Sequence, residues 1–241
     1  MAKVNLTIDG KTVEAEEGAM LLKVAREAGS DIPSLCHNDE VKPYGACRMC
    51  MVEVEERGRK RLVTSCTFPV KEGISVTTQS DRIFRNRKMI VELLLARCYK
   101  VPEIREMAVE YGIDIDRPRF QVQEETCILC GLCVRVCDEV VGVHAIGFAG
   151  RGPDRLPTPP FMEPSELCIG CGACVYACPV DAIKMVQTPE TRTIERWQRT
   201  LPMKVCKVCG EPFFPEYQVE YFSKRAKNIP DNFFEVCPNC R

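Results

Sequence analysis

The sequence predicts an α+β chain assembled from several small modules that metal ligands hold together. The 241 residues include 17 cysteines, more than packing alone requires. Most of them stand in C-x2-C units, a spacing suited to metal ligation. Apolar residues alternate as in strands near the start and recur at helical spacing further on. Because metal ligands let short segments fold, several modules are expected instead of one large core.

Residues 1–80 predict the element order of a β-grasp domain: a hairpin, a helix and then further strands. Apolar residues alternate with polar ones from 4 to 8, and Asp9-Gly10 makes the turn into a returning strand. An amphipathic helix follows, and Gly29 closes it as the glycine just beyond its end. Further strands are predicted at residues 51–54, 61–64 and 74–77.

Four cysteines fall in the loops of this domain, with the spacing C-x10-C-x2-C-x15-C. They are predicted to hold a [2Fe–2S] cluster, and they are Cys36, Cys47, Cys50 and Cys66. Gly45 and Ala46 let the backbone come close and aim N–H groups at the sulfurs. A four-cysteine zinc loop is the alternative, and the surrounding β-grasp pattern argues against it. His37 is interpreted as a neighbour of the site or as an exposed residue, because four thiolates already complete the site.

The segments around these cysteines resemble one family. They are Ser34-Leu35-Cys36-His37, residues 45–54, and Ser65-Cys66-Thr67-Phe68-Pro69-Val70. They are similar to the [2Fe–2S] module of the large iron–sulfur subunit of respiratory NADH dehydrogenase, of NAD-linked iron-only hydrogenases and of the NAD-linked nickel–iron hydrogenase diaphorase. The run from residue 137 to 152 resembles the same family, so the resemblance covers about residues 1–190.

Residues 81–120 predict a helical connector. Apolar residues recur at helical spacing, and the basic side chains at the start are interpreted as a solvated face; they are Arg82, Arg85, Arg87 and Lys88. A second short helix is predicted over 102–111. Family members usually carry an extra [4Fe–4S] site here, with the order H-x3-C-x2-C-x5-C. This chain has only Cys98 in that stretch, so we expect that cluster to be missing and Cys98 to be a buried free thiol.

Residues 121–190 contain two copies of C-x2-C-x2-C-x3-C, offset by 41 residues, which is the spacing of a bacterial two-cluster ferredoxin. In that arrangement the fourth cysteine of each run ligates the other cluster. One [4Fe–4S] cluster is therefore expected on Cys127, Cys130, Cys133 and Cys178, and the other on Cys168, Cys171, Cys174 and Cys137. Paired zinc knuckles fit this spacing less well. Asp138 stands where the second copy has Pro179, and His144 is interpreted as structural. The five prolines of residues 153–164 predict a stiff crossing between the copies.

Residues 200–241 form a tail with two further C-x2-C pairs, which predict a zinc-ribbon-like or rubredoxin-like metal site. The ligands are Cys206, Cys209, Cys237 and Cys240. Zinc is the first expectation, and a third [4Fe–4S] cluster or a single iron are the alternatives. The phrase Ile229-Pro230-Asp231 resembles rubredoxins. Seven aromatic residues in the last 31 predict a small core around one metal.

Several classes of protein are disfavoured. The balance of 33 basic and 34 acidic residues implies no nucleic-acid partner, which opposes a zinc-ribbon nucleic-acid module. The first ten residues lack the apolar core of a signal peptide, and the cysteine count is odd, so a disulfide-rich secreted chain is not expected. No apolar run is long enough to span a membrane. Neither a dinucleotide-binding fingerprint nor a phosphate loop is present, so no catalytic residue is predicted.

The resemblance implies a cytoplasmic iron–sulfur electron-transfer subunit of an NAD(P)-linked hydrogenase, with an NAD-linked formate dehydrogenase as the alternative. A flavin-bearing NAD(P)H-oxidising subunit and a catalytic subunit would be other chains, since this one stops where an iron-only hydrogenase would continue. A soluble ferredoxin is a further candidate partner if the complex bifurcates electrons. The iron–sulfur subunit of a succinate or fumarate oxidoreductase is less favoured, because its C-x4-C-x2-C spacing does not match residues 36–50.

Overall fold

The computed structural model describes residues 2–227, 230 and 232–241. Ile229 and Asp231, of the rubredoxin-like phrase, lie outside the described residues. The chain divides into two compact units, residues 1–130 and residues 131–241. Both contain helices and strands, which confirms the α+β class.

The first unit is built on a five-stranded sheet with the order β2-β1-β5-β3-β4. The strands are β1 (Lys3–Ile8), β2 (Lys11–Glu16), β3 (Met51–Glu56), β4 (Arg59–Thr64) and β5 (Ser75–Thr77). Strands β1 and β5 pair in parallel, and the other neighbours are antiparallel. The turns Asp9-Gly10 and Arg57-Gly58 have positive φ at both residues, the backbone that a two-residue hairpin requires. The predicted β-grasp order is confirmed.

Helix α1 (Leu21–Glu27) packs its apolar side on this sheet. Its buried residues are Leu21, Leu22, Val24 and Ala25, in one core with the inward side chains of β1, β3 and β5. The N–H of Ser30 donates to the carbonyl of Ala25, and Gly29 has φ +89°, so the helix ends in a Schellman motif. The predicted role of Gly29 is confirmed.

Two further helices complete the first unit: α2 (Asp81–Arg97) and α3 (Pro102–Glu110). Both were predicted. The prediction of a wholly solvated basic face on α2 is wrong at Arg87, which is buried. Its guanidinium donates to the carbonyls of Met51, at 2.9 Å, and Thr78, at 3.4 Å. It therefore ties α2 to the start of β3 and to the segment that precedes the helix.

The second unit contains short helices, a hairpin and a sheet. Helix α4 (Leu132–Arg135) continues into a π-helical turn (Val136–Val140), and α5 (Ala173–Tyr176) and α6 (Glu216–Ser223) follow later. Strands β6 (Gly147–Ala149) and β7 (Leu156–Thr158) pair, so the proline-rich crossing includes a strand. The four-stranded antiparallel sheet, in the order β11-β10-β9-β8, was not predicted. Its members are β8 (Met185–Gln187), β9 (Thr191–Ile194), β10 (Arg199–Val205) and β11 (Pro212–Pro215).

This sheet runs through the gap between residues 190 and 200 that the sequence placed between two domains. That boundary stays a prediction. Among the described residues, no helix combines the length and the apolar character needed to cross a membrane.

Candidate iron–sulfur and metal sites

The first candidate site is a quartet of thiols in the first unit, grouped two by two. The thiols of Cys36 and Cys47 hydrogen-bond each other, and those of Cys50 and Cys66 do the same. The bond from Cys66 lowers the pKa of Cys50 to about 6, whereas the contact with Cys36 and burial raise the pKa of Cys47. The charges of Cys36, Cys47 and Cys50 all act on Cys66, so the two pairs lie side by side.

Backbone donors surround these thiols. The N–H of Cys47 points at the Cys36 sulfur and the N–H of Leu35 at the Cys47 sulfur, each at 3.4 Å. Ser65 bonds the carbonyl of Cys50 through its hydroxyl, at 2.8 Å, and its N–H, at 3.1 Å. These contacts fix the chain on both sides of the quartet.

A glycine makes the turn into Cys47 possible. Gly45 has φ +70°, and a Cβ there would lie 3.2 Å from the Thr67 methyl carbon. A side chain would therefore meet both backbone strain and a close neighbour.

The paired arrangement fits a [2Fe–2S] cluster, in which each iron takes two thiolates. Three of the four cysteines are buried and the fourth is half-buried, so bulk water has little access. The backbone N–H groups would offset part of the negative charge of the thiolates.

The second candidate site is an apolar cavity in the second unit. Four cysteines line it: Cys137, Cys168, Cys171 and Cys174. The rest of the wall is almost entirely apolar, and includes Val143, Ile146, Ile169 and Trp197. Burial raises the pKa of Cys174 to about 12 and also raises the pKa of Cys137 and Cys168. Four thiols that line one apolar cavity fit a cationic iron core, because such a core would compensate the charge that the thiolates carry when they bind it.

The two cysteine runs have the same local backbone. Gly131 and Gly172 each precede a short helix with φ +77°. The N–H of Ala145 donates to the Cys137 sulfur at 3.4 Å, and the N–H of Ala182 donates to the Cys178 sulfur at 3.2 Å. These alanines belong to the similar apolar phrases that follow each run. The two copies of the internal repeat therefore share equivalent hydrogen bonds from a backbone N–H to the fourth cysteine.

The other predicted cluster draws its ligands from both compact units, since Cys127 and Cys130 belong to the first and Cys133 and Cys178 to the second. That ligand set stays a prediction. Within the first unit, the N–H of Leu129 donates to the Cys127 sulfur at 3.4 Å. Arg97 donates to the carbonyl of Cys127 at 2.9 Å.

Sequence reasoning missed three side chains that hold or contact the predicted ligand cysteines. Arg97 binds the carbonyl of the first cysteine of one run, and Arg199 binds that of Cys168 in the other, at 3.2 Å. The indole N–H of Trp197 donates to the Cys174 sulfur at 3.3 Å. No local pattern signals these contacts, because Trp197 and Arg199 lie 23 and 31 residues from their partners.

The third candidate site is the cysteine quartet of the tail, Cys206, Cys209, Cys237 and Cys240. The four sulfurs all lie within 4.8 Å of one another, and the sulfurs of Cys209 and Cys237 are 3.8 Å apart. Hydrogen bonds from the backbone N–H groups of Cys209 and Cys237 lower the pKa of Cys206 to about 6. Within the described part of the chain, this is the one group of three or more histidine, cysteine or acidic residues this close together.

The remaining predicted residues lie outside these sites. Cys98 is fully buried, and burial raises the pKa of its thiol to about 12. His37 has a mostly buried side chain that pairs with Asp39, and His144 pairs with Asp138 on the surface. None of the seven tail aromatics is buried, so they do not form a buried core of their own. Tyr217 and Tyr221 pack instead against the core beside Cys137 and Cys168.

Comparison with known families matches the two regions of the chain that contain the first two candidate sites. Residues 1–81 match a 2Fe-2S iron-sulfur cluster binding domain. Residues 120–185 match a 4Fe-4S dicluster domain, and residues 167–212 match another 4Fe-4S dicluster family. The last two matches overlap and share the second cysteine run. The chain is therefore an iron–sulfur protein with one [2Fe–2S] domain and a [4Fe–4S] dicluster region, followed by a four-cysteine group.

Two similar proteins are subunits of oxidoreductases. The NADPH-Fe(3+) oxidoreductase subunit alpha of Geobacter sulfurreducens is 37% identical over 175 residues, which cover 62% of this chain and 20% of the relative. An NADH-quinone oxidoreductase subunit of Rhizobium meliloti is 31% identical over 232 residues, 86% of this chain and 27% of the relative. The chain thus spans about a fifth to a quarter of the length of these relatives.

A solved structure shares the fold over nearly the whole chain. It is a chain of an NAD+-reducing [NiFe]-hydrogenase in the H2-reduced state, with a TM-score of 0.64 and 24% identity. The match covers 91% of this chain and 96% of that one.

Proposed function

We propose that this chain is the iron–sulfur electron-transfer subunit of a multisubunit NAD(P)-linked hydrogenase. It would relay electrons between a flavin-bearing subunit that oxidises NAD(P)H and the catalytic subunit. The observation that carries the proposal is the presence of a paired-thiol quartet and a dicluster region in one fold. That fold matches 96% of a chain from an NAD+-reducing [NiFe]-hydrogenase.

The proposed ligand sets follow the sequence prediction. Cys36 with Cys47, and Cys50 with Cys66, would each hold one iron of the [2Fe–2S] cluster, as their pairing suggests. The [4Fe–4S] clusters would use the remaining two sets: Cys127, Cys130, Cys133 and Cys178, and Cys168, Cys171, Cys174 and Cys137. When bound, such clusters supply reversible one-electron transfer.

The chain's own residues would position and shield these centres. Apolar side chains around Cys168–Cys174 exclude water, which lowers the local dielectric. Backbone N–H groups such as those of Ala145 and Ala182 donate to ligand sulfurs and offset their charge. Arg97 and Arg199 hold the carbonyls of Cys127 and Cys168, which fixes where each run begins.

We infer further that the tail quartet holds a single zinc ion. Four sulfurs at about 2.3 Å from one tetrahedral ion lie about 3.8 Å from each other. The sulfurs of Cys209 and Cys237 are 3.8 Å apart, which matches the sulfur–sulfur distance expected in such a tetrahedron. A [4Fe–4S] cluster puts each thiolate on a different iron, so its ligand sulfurs stand farther apart than those around one ion. The tight quartet therefore favours one ion over a third cluster.

No disulfide links any of the 17 cysteines, all of which lie in the described part of the chain. Thiolate ligands for four metal centres must remain reduced until the metals bind, so we place the chain in the cytoplasm, where thiols are kept reduced.

The first test is the metal content of the full chain, expressed and purified without oxygen. About ten irons with matching sulfide, and EPR signals of both cluster types on reduction, are expected. Cys50→Ser should remove only the [2Fe–2S] signal and about two irons. Cys98→Ala is the matched control, since this buried thiol belongs to none of the proposed sets, and it should keep all of the iron. Zinc without acid-labile sulfide in the wild-type chain would refute the proposal.

The second test identifies the partners. The tagged chain, recovered from its native cells, should bring with it a flavoprotein that oxidises NAD(P)H and a hydrogenase subunit. A formate dehydrogenase subunit in its place would establish the alternative, and recovery of the chain alone would count against a subunit role.

A further inference from the structure

We propose that Trp197 raises the reduction potential of the [4Fe–4S] cluster held by Cys137, Cys168, Cys171 and Cys174. Its indole N–H would do so by donating a hydrogen bond to the Cys174 thiolate. This inference rests on the cluster proposed above, and it assigns a tuning role to a residue outside both cysteine runs.

The contact is well defined. The indole nitrogen lies 3.3 Å from the Cys174 sulfur, within the range for a hydrogen bond to sulfur. Trp197 is 3% exposed and forms part of the wall of the cysteine-lined cavity. Its ring packs in the same core as Ile146, Ile169 and Ile194.

The backbone holds the ring in this orientation. Trp197 ends a 3-10 turn, Glu195–Trp197, that joins β9 to β10. Gln198 follows in the left-handed region with φ +50°, and its N–H donates to the carbonyl of Glu195 at 3.0 Å. A non-glycine residue in that region costs backbone energy, so the surrounding contacts must hold this connection in one conformation.

The direction of the effect follows from electrostatics. Reduction would add one electron to the site without making or breaking a bond, and the indole would keep its proton. The sulfur then carries more negative charge, so the hydrogen bond from Trp197 is stronger in the reduced state. Burial away from water increases this difference. The bond therefore favours reduction and raises the potential.

The effect is confined to one of the two clusters. The sequence has a single tryptophan, so no second indole can serve the other cysteine run. The two clusters are built on one repeated motif, but Trp197 would give them different reduction potentials.

The test compares midpoint potentials of the full chain, measured by EPR-monitored titration. In Trp197→Phe, which keeps an aromatic ring but no donor, the reduction equilibrium constant of this cluster should fall about threefold to tenfold. A tenfold change is about 59 mV for one electron. The [2Fe–2S] potential should not move. Incorporating benzothienylalanine at position 197 repeats the test with nearly the same ring shape and no N–H, in case the phenylalanine variant loses its cluster.

A direct readout uses the single tryptophan. Labelling with indole-15N tryptophan places the isotope at one position, and pulsed EPR of the reduced chain should detect its coupling to a [4Fe–4S] signal. Full iron content with unchanged potentials in both variants, or the lack of any 15N coupling, would overturn the role of Trp197. A wild-type chain without [4Fe–4S] signals would instead refute the proposed clusters.

Discussion

Replacing Cys209 and Cys240 together by serine should remove one zinc ion per chain and leave the iron content unchanged. These two cysteines are the less buried members of the tail quartet, whereas Cys206 and Cys237 are buried. The expected coordination follows from the structure. An edge of 3.8 Å between sulfurs corresponds to a tetrahedron with a centre-to-sulfur distance of about 2.3 Å, the usual Zn–S length.

The assay combines metal analysis with X-ray absorption at the zinc edge. The wild-type chain should contain one zinc with four sulfur neighbours at about 2.3 Å. The double variant should contain none, because two thiolates cannot replace four in a structural site. Val208→Ser is the matched control, since Val208 lies between the proposed ligands Cys206 and Cys209 and is itself 69% exposed. It should keep its zinc.

Three results would refute this reasoning. About fourteen irons and no zinc in the wild-type chain would mean a third [4Fe–4S] cluster. About one iron in place of the zinc, with rubredoxin-like colour, would mean a mononuclear iron site. A loss of about four irons in the double variant would show that these cysteines ligate a cluster.

The remaining predictions concern residues that support the sites. Arg87→Met should lower the free energy of unfolding by about 1.5–3 kcal/mol, because it removes hydrogen bonds from a buried charged group. Denaturant titrations without oxygen measure this change. Arg85→Met, on the exposed side of the same helix, should leave the free energy of unfolding unchanged. Gly170→Ala should reduce iron content, because its Cβ would lie 3.2 Å from the Pro215 ring as well as 2.8 Å from the end of the buried Leu201 side chain. Gly142→Ala has a similar positive φ but open space, and it should retain iron. Since burial raises the pKa of Cys98 to about 12, its thiolate is scarce at pH 8, and iodoacetamide should label it only after unfolding.

Local patterns were sufficient to predict most of the first unit. The turn Asp9-Gly10 needs only two residues with positive φ, and Gly29 ends α1 through bonds that span six residues. Such interactions involve residues that are close in sequence, so the local sequence pattern is enough to predict the turn and the end of the helix. The loop cysteines were predicted as one set because four thiolates complete a site by themselves, and the cluster on them stays a prediction.

The burial of Arg87 was missed for a different reason. The buried residues of α2 are Ile83, Arg87, Val91 and Leu95, each four positions after the last. The helical period therefore placed Arg87 on the inner face, but its charge suggested the opposite. Burial becomes acceptable because two carbonyls accept its N–H groups.

The sheet β8–β11 could not be predicted from local pattern. Strands β8 and β9 have three and four residues, β9 alternates threonine with arginine and isoleucine, and β10 contains a proline. Such short and polar segments resemble loops until their partners are known. The contacts made by Trp197 and Arg199 depend on this sheet, and they were missed with it.

The two cysteine runs show how one substitution changes a repeated backbone. In the second run, Pro179 has no N–H and follows the last cysteine, just after the short helix ends. Asp138 keeps its N–H at the equivalent place, and the first run continues through a π-helical turn, in which the N–H of Val141 bonds the carbonyl of Val136. The sequence indicated that this turn would differ, but not that the helix would extend.

Cysteine spacing alone does not identify the metal of the tail, because C-x2-C pairs occur in zinc ribbons, in rubredoxin-like sites and in clusters. The distances between ligand sulfurs depend on how many metal atoms the thiolates share, and they are shorter around one ion than around a cluster. In the tail all four sulfurs lie within 4.8 Å of one another. In the first unit the thiols form two pairs. Two sites that both consist of four cysteines thus differ in how their sulfurs are grouped. This grouping depends on contacts between residues far apart in sequence, so it cannot be predicted from the spacing of the cysteines.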